Sequence, residues 1–235
     1  MKTDTLIVGA GIIGLAIARE ISKEGQQVVV LEKNKRAGDE TSSRNSGVIH
    51  SGIYYPTGSL KAIFCVEGNR LLYEYVKKRN IGYRNTGKLV VATSSEEIDK
   101  LEQLHAKGRE NGVEGLELLT KDRAKKIQPE IKTELALFCP SSGIIDASDF
   151  ILSLEADLQQ KGVTVSFNAK VESINKLNQG FSVQVNAEEP YSVDAETVIN
   201  CAGLNAIDIA RRTENLNQDL VPGAYYGKGH YFQLN

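Results

Sequence analysis

The chain has 235 residues, of which 41% are hydrophobic and 25% charged, and its formal net charge is -2 at neutral pH. This is the composition of a globular protein able to bury a sizeable core. It provides neither the basic field that nucleic acid requires nor an acidic tail. Cys65, Cys139 and Cys201 are odd in number, widely spaced and without CxxC or His-paired spacing. That pattern argues for three reduced thiols, with no disulfide framework and no metal site. The opening "MKTDTLIVGAGIIGLAIARE" is broken by glycines and shows no cleavage site, and no later segment approaches about 18 consecutive apolar residues, so neither a secretory signal nor a membrane span is expected.

The first elements form a βαβ unit. Residues 5–8, "TLIV", and 28–31, "VVVL", are short apolar runs of strand type, and residues 12–24 carry Ile13, Ala16, Ile17 and Ile21 at helical spacing. Between the first strand and the helix lies Gly9-Ala10-Gly11-Ile12-Ile13-Gly14, a full GxGxxG, and Glu32 closes the second strand. In that setting Gly9 permits the tight turn, Gly11 lets the backbone approach a pyrophosphate, and Gly14 lets helix and strand pack closely. Glu32 stands near the distance of about 20 residues at which an acid meets ribose hydroxyls, and its charge disfavours a 2′-phosphate. The unit points to a dinucleotide and leaves NAD against FAD open.

Next comes "ETSSRNSGVIHSGIYY", residues 40–55, rich in small hydrogen-bonding residues and without helical or strand period. Residues 59–80 then read as a helix with basic residues at its end, 87–93 as a strand, and 94–111 as a helix opened by a Ser94/Glu97 capping box. A short helix at 120–128 closed by Pro129 and a strand at 135–138 follow. Asp146 or Ser148 caps a helix running to Lys161 and stopped by Gly162. Three strand-like runs, "VTVSF", "KVESINKL" and "FSVQV", suggest an antiparallel excursion, before a buried strand at 197–200 and a helix through Arg211. The order predicts an α/β fold in which a nucleotide domain (1–80 and 141–215) receives an inserted α+β substrate domain (81–140), with 216–235 starting a return to that second domain.

The GxGxxG with Glu32, the segment "TSSRNSGVIHSGIYY", the stretch "GIIDASDFILSLEADLQQKGVTV" and the late "VINCAGLNA" together resemble the D-amino-acid-oxidase-like group of FAD-dependent oxidoreductases, whose fold is related to that of glutathione reductase. Within that group "SSRNSGVIHSGIYYPTGSLKA" and "CVEGNRLLYEY" are most similar to L-2-hydroxyglutarate oxidases and dehydrogenases, with glycine oxidase and glycerol-3-phosphate dehydrogenase as weaker fits. The resemblance implies an FAD-binding Rossmann domain and oxidation of L-2-hydroxyglutarate to 2-oxoglutarate by hydride transfer to the flavin. The alternatives are a glycine-oxidase-like amine oxidase and a nucleotide-binding remnant without turnover.

For the cofactor, the resemblance assigns Gly9, Gly11, Ile12, Ile13, Gly14, Glu32 and Lys33, then Thr41, Ser42 and Ser43 toward the phosphates with the positive charge of Arg44. Asn45, Ser46, Gly47 and Val48 are implied beside the ring, Val171 at the adenine, and Cys201, Ala202 and Gly203 on the other side. His50 is the implied catalytic residue, either as the base that takes the substrate hydroxyl proton or as a hydrogen-bond partner without proton transfer. For the substrate, the resemblance implies Lys61, Arg84, Lys228 and His230 as partners of a dicarboxylate, with ordinary surface charges as the alternative reading, and Tyr54 and Tyr55 as pocket lining, with plain core residues as theirs. The partners implied are a small 2-hydroxy acid and an electron acceptor, oxygen or a membrane quinone, with no nucleic acid. The expected location is cytoplasmic, with peripheral association at the inner face of the cell membrane if a quinone is used. The chain stops at "GKGHYFQLN", on a strand that in the family precedes the rest of the substrate domain. It is therefore expected to be the N-terminal portion of such an enzyme and a poor catalyst by itself.

Overall fold

The computed structural model describes residues 1–22 and 25–230. From the N-terminus come β1 (Lys2–Val8), α1 (Ile12–Ile21), β2 (Val28–Leu31), a single 3-10 turn at Thr41–Ser43, β3 (Val48–Ile49) and α2 (Leu60–Arg79). The middle of the chain holds β4 (Tyr83–Arg84), β5 (Lys88–Ala92), α3 (Ile98–Glu110), β6 (Glu117–Thr120), α4 (Lys121–Ile127), β7 (Leu135–Cys139) and β8 (Gly143–Ile145). Then follow α5 (Ala147–Gln160), β9 (Thr164–Ser166), β10 (Lys170–Lys176), β11 (Phe181–Asn186), β12 (Tyr191–Asn200) and α6 (Ala206–Arg211).

The chain forms two units, one of Met1–Asn45 with Ala147–Asn235 and one of Ser46–Asp146. In the first, a six-stranded sheet runs β10-β11-β12-β1-β2-β9. β12, β1, β2 and β9 are parallel, and β11 and β10 continue the sheet antiparallel. All four residues of β2 and four consecutive residues of β1 are buried, the continuous apolar pattern of strands covered on both faces. Leu6, Val8, Val29, Leu31, Val171, Val183 and Val193 form its core. On α5 the carboxylate of Asp157, 2% exposed, meets the guanidinium of Arg19 on α1 at 2.6 Å.

Residues 163–167 do not belong to the antiparallel excursion that their sequence suggests. They supply β9, parallel to β2 at the sheet edge, because α5 provides a crossover long enough for a parallel return. Only β10 and β11 form the antiparallel pair, and β12 begins six residues earlier than the strand read at 197–200. α1 ends at Ile21, and residues 23–24 of the expected helix lie outside the described residues, as do 231–235 of the expected final strand.

The second unit contains two antiparallel sheets, β3-β8-β4 and β5-β7-β6. Leu101 on α3 packs with Ala92 and Leu137, while Ile53, Val113 and Cys139 form a neighbouring cluster. α2 starts where Ser59 Oγ accepts the Ala62 N–H at 3.2 Å and ends at Asn80 in the left-handed region, φ 55°. The capping box does not form as expected. A 3-10 turn at Ser95–Glu97 precedes α3, so Glu97 reaches Thr93 N and Oγ1, at 2.7 and 2.8 Å, and the Ser94 side chain makes no cap bond.

This division also differs from the boundaries at residues 80, 140 and 215. Residues 46–80 and 141–146 fall in the second unit because β3 pairs with β8 and β8 with β4. Among the described residues, no helix is long and apolar enough to cross a membrane.

Candidate active site

The first unit carries a cleft at the carboxyl ends of its parallel strands, where ligands of open α/β sheets bind. It encloses about 790 Å³ including its open mouth. β1 delivers Gly9 at φ 104°, a backbone that favours glycine, and a Cβ there would press on the Cys201 carbonyl. A Cβ on Gly14 would collide with the Gly9 carbonyl oxygen, which is why α1 can pack so close to the turn. Beside Gly11, Ser42 Oγ accepts the Ile12 N–H at 3.1 Å. The hydroxyl thus meets one of the orphan donors at the start of α1 and keeps its own proton to donate.

Glu32 follows β2 and is 7% exposed. Its Oε2 accepts the Ala10 N–H and its Oε1 the Asn34 N–H, both at 2.8 Å. An ionised carboxylate offers about four lone-pair positions, so two backbone donors orient it and leave acceptor capacity on the cleft side. The opposite wall is formed by Ala169–Val171 at the start of β10, by Cys201–Gly203 after β12, and by Asn205, Ile209 and Arg212. Lys33 at the rim pairs with Glu40 at 2.6 Å.

Of the residues singled out from sequence, Gly9, Gly11, Glu32, Lys33, Thr41, Ser42, Val171, Cys201, Ala202 and Gly203 line this cleft. Ile12 contributes only its N–H to the Ser42 contact, Ile13 is 67% exposed, and Gly14 is taken up by packing. Ser43, Arg44 and Asn45 do not line it. Their side chains fold back on the local backbone, Ser43 Oγ to Glu40 O, Arg44 Nη1 to Asp39 O and Asn45 Nδ2 to Ser42 O. Ser46, Gly47 and Val48 belong to the other unit, where Gly47 O accepts the Ile145 N–H and Val48 pairs with Ile144. Gly38, Asp39, Glu40, Lys170 and Arg212 line the cleft without having been foreseen. For Gly38, a glycine just after the unit's acid was the available signal; its φ is 67° and a Cβ would meet Ile151.

A second cluster, in the other unit, surrounds His50. Asn69 on α2 donates to the His50 carbonyl at 2.8 Å and to the Ser141 carbonyl at 2.9 Å. Asn111, after α3, donates to the carbonyls of Gly52 and Tyr55 at 2.9 and 3.0 Å. Two amides therefore fix both ends of the segment that bears His50, Tyr54 and Tyr55. Lys61 Nζ lies 4.7 Å from the Tyr55 ring centre and Lys88 Nζ 5.5 Å from that of Tyr54, within cation–π range. His50 is exposed, yet partial desolvation holds its pKa below the usual 6.5, and the charges of Lys88 and Lys61 push the same way. Burial raises the pKa of both tyrosines.

Tyr54, Tyr55 and Lys61 are thus gathered with His50, together with Lys88, which sequence reasoning missed. Arg84 sits exposed on β4 opposite Ile144. Lys228 and His230 lie in exposed coil of the other unit.

The whole chain from residue 4 to residue 235 matches the model of the family described as FAD dependent oxidoreductase. It is 37% identical over 262 residues to a mitochondrial L-2-hydroxyglutarate dehydrogenase of Arabidopsis thaliana, covering 100% of this chain and 54% of that protein. The same enzyme of Homo sapiens is 39% identical over 212 residues, covering 86% and 46%. The chain spans about half the length of the curated relatives it matches. Among solved structures it resembles the FAD-bound L-alpha-glycerophosphate oxidase of Mycoplasma pneumoniae, with a TM-score of 0.85 and 30% identity over 91% of this chain and 57% of that one. Glycine oxidase from Geobacillus kaustophilus aligns with a TM-score of 0.80 and 25% identity, over 90% and 58%. With its βαβ unit, glycine turn and buried Glu32, this chain belongs to the FAD dependent oxidoreductase family, whose cofactor is FAD.

Proposed function

We propose that this chain holds FAD in the cleft of its first unit and contributes to oxidation of L-2-hydroxyglutarate to 2-oxoglutarate. The observation that carries the cofactor reading is the buried Glu32 carboxylate, oriented by two backbone donors with acceptor capacity left over for a ribose diol. Gly9 and Gly11 fit the same reading, since a Cβ on Gly9 would strike the Cys201 carbonyl and one on Gly11 would crowd the Ser42 hydroxyl. The Ser42 O–H and the start of α1 then face a pyrophosphate, while Val171, Ala202 and Gly203 complete the nucleotide wall. The 37–39% identity to L-2-hydroxyglutarate dehydrogenases supports this substrate.

Bound FAD supplies the acceptor for the hydrogen and electron pair that leave C2 of the hydroxy acid. The chain's own part is acid–base and positional. His50, whose pKa is lowered by desolvation and by Lys88 and Lys61, offers a ring nitrogen to accept the hydroxyl proton. Asn69 and Asn111 hold the segment that presents it.

The test is anaerobic mixing of the FAD-supplied protein with L-2-hydroxyglutarate, its D enantiomer and glycine, followed at the oxidised flavin band. Bleaching by the L hydroxy acid alone is expected. A spectrum that stays oxidised with it, or that is bleached by glycine in preference, overturns the assignment.

A further inference from the structure

Lys61 and Lys88 differ from the cations of this protein that are paired with carboxylates. Lys33, Lys121 and Lys170 each meet a carboxylate within 3.1 Å, as do Arg70 and Arg123. Among the described residues, neither Lys61 nor Lys88 has a carboxylate partner. Their positions are nevertheless defined. Each ammonium lies over the ring of one of two consecutive tyrosines, and the segment carrying those rings is fastened by Asn111. A tyrosine face steadies an ammonium without neutralising it, and the ammonium keeps N–H donors for an anion.

Both charges are also felt at His50, so two uncompensated cations share its surroundings. Gathering like charges is unfavourable unless something anionic joins them. A 2-hydroxy monoacid would use one of them. A dicarboxylate would use both.

We propose that Lys61 and Lys88 are the two carboxylate-binding residues beside His50, and that together they select a dicarboxylate over a monocarboxylate. This rests on the reading that the His50 site takes a 2-hydroxy acid, and it adds the residues that set the substrate class. Lys88, at the first position of β5 and half-buried, is held by the sheet, while Lys61 projects from the first turn of α2. The two arise from separate elements, so each can be altered with the other in place.

The experiment is calorimetric titration of the full chain, with FAD supplied, using glutarate and butyrate as probes. Wild type is expected to bind glutarate about tenfold or more tighter than butyrate, the scale of one charge-assisted contact. Lys61→Gln and Lys88→Gln should each remove most of that preference, whereas Lys61→Arg and Lys88→Arg should retain it. Lys77→Gln, near the far end of α2, should leave it unchanged. Wild type that binds both probes equally, Gln variants that keep the preference, or a Lys77→Gln loss as large as theirs would each overturn the proposal. Should a Gln variant fail to fold, the corresponding Lys61→Met or Lys88→Met variant makes the same test, and equal binding of the two probes by wild type still overturns the proposal. Glutarate binding that depends on both lysines, without bleaching by L-2-hydroxyglutarate, would refute the proposed reaction and leave the lysine assignment standing. Bleaching by L-2-hydroxyglutarate with unaltered Gln variants would do the reverse.

Discussion

Glu32 Oε2 accepts the backbone N–H of Ala10 at 2.8 Å, which ties the acid at the end of β2 to the middle of the glycine turn. Replacing Glu32 with Gln keeps one acceptor and turns an NH₂ group toward a second backbone N–H. Since hydrogen bonds to charged groups contribute about 1.5–3 kcal/mol, Glu32→Gln should lower stability by about that amount. It should also lower the FAD bound per chain. Urea unfolding and the flavin-to-protein absorbance ratio measure the two, and loss of stability with full FAD content would restrict Glu32 to shaping the turn.

His50→Asn retains a hydrogen-bonding side chain but cannot take up a proton. Flavin reduction by L-2-hydroxyglutarate should slow by about a hundredfold to ten-thousandfold, the range of general-base contributions, with FAD content unchanged. Stopped-flow absorbance gives the rate. Reduction as fast as in wild type would limit His50 to positioning.

The pH behaviour of His50 has a definite sign. Its pKa is lowered in the folded protein, first by desolvation and then by Lys88 and Lys61. Between the folded and unfolded pKa values the unfolded chain therefore binds more protons, so this group's contribution to stability is lost as pH falls through that window. NMR titration should place the ring below 6.5, and Lys88→Gln should move it upward. A ring titrating at or above 6.5, or one indifferent to Lys88→Gln, contradicts the arrangement.

Gly14→Ala introduces a methyl group where the Gly9 carbonyl oxygen already sits. Forced overpacking of this kind costs typically about 1–3 kcal/mol. The melting temperature should fall and FAD binding should weaken with it, because the obstruction lies inside the glycine turn. Wild-type values for both would mean that α1 shifts freely along the sheet.

Local features carried most of what could be read from sequence. The run at 28–31 is apolar at every position and that at 5–8 is apolar after Thr5, and both fall inside strands of the parallel sheet. The end of α2 at Asn80 was legible from residues that cap or stop a helix by themselves. Pairing was harder. "VTVSF" looks like any short strand, and only the preceding crossover helix sends it to a parallel edge. β12 hides its first half because Tyr191, Ser192 and Asp194 are exposed and polar or half-polar, which reads as loop.

The same limit applies to the site. Gly9, Gly11, Glu32 and Ser42 line the cleft within one supersecondary unit and its following loop. Arg44 suggested a cation for phosphates, yet its guanidinium is engaged by the Asp39 carbonyl five residues back. Lys88 opens an ordinary strand, and Asn69 and Asn111 look like surface amides on or beside helices. Their importance arises from what tertiary folding sets against them.

Leu6 on β1 is paired with Val198 on β12, so the centre of the larger sheet joins two strands far apart in the sequence. During synthesis the N-terminal strand must wait, with one edge uncovered, until β12 has left the ribosome. Such long-range closure gives a high contact order and slow folding, and a waiting apolar edge is open to wrong partners. The Ser46–Asp146 unit needs no residue from outside that span for its own sheets. It is free to form first on the ribosome, and refolding should accordingly show an early phase from this unit and a late, chaperone-sensitive phase when β12 docks.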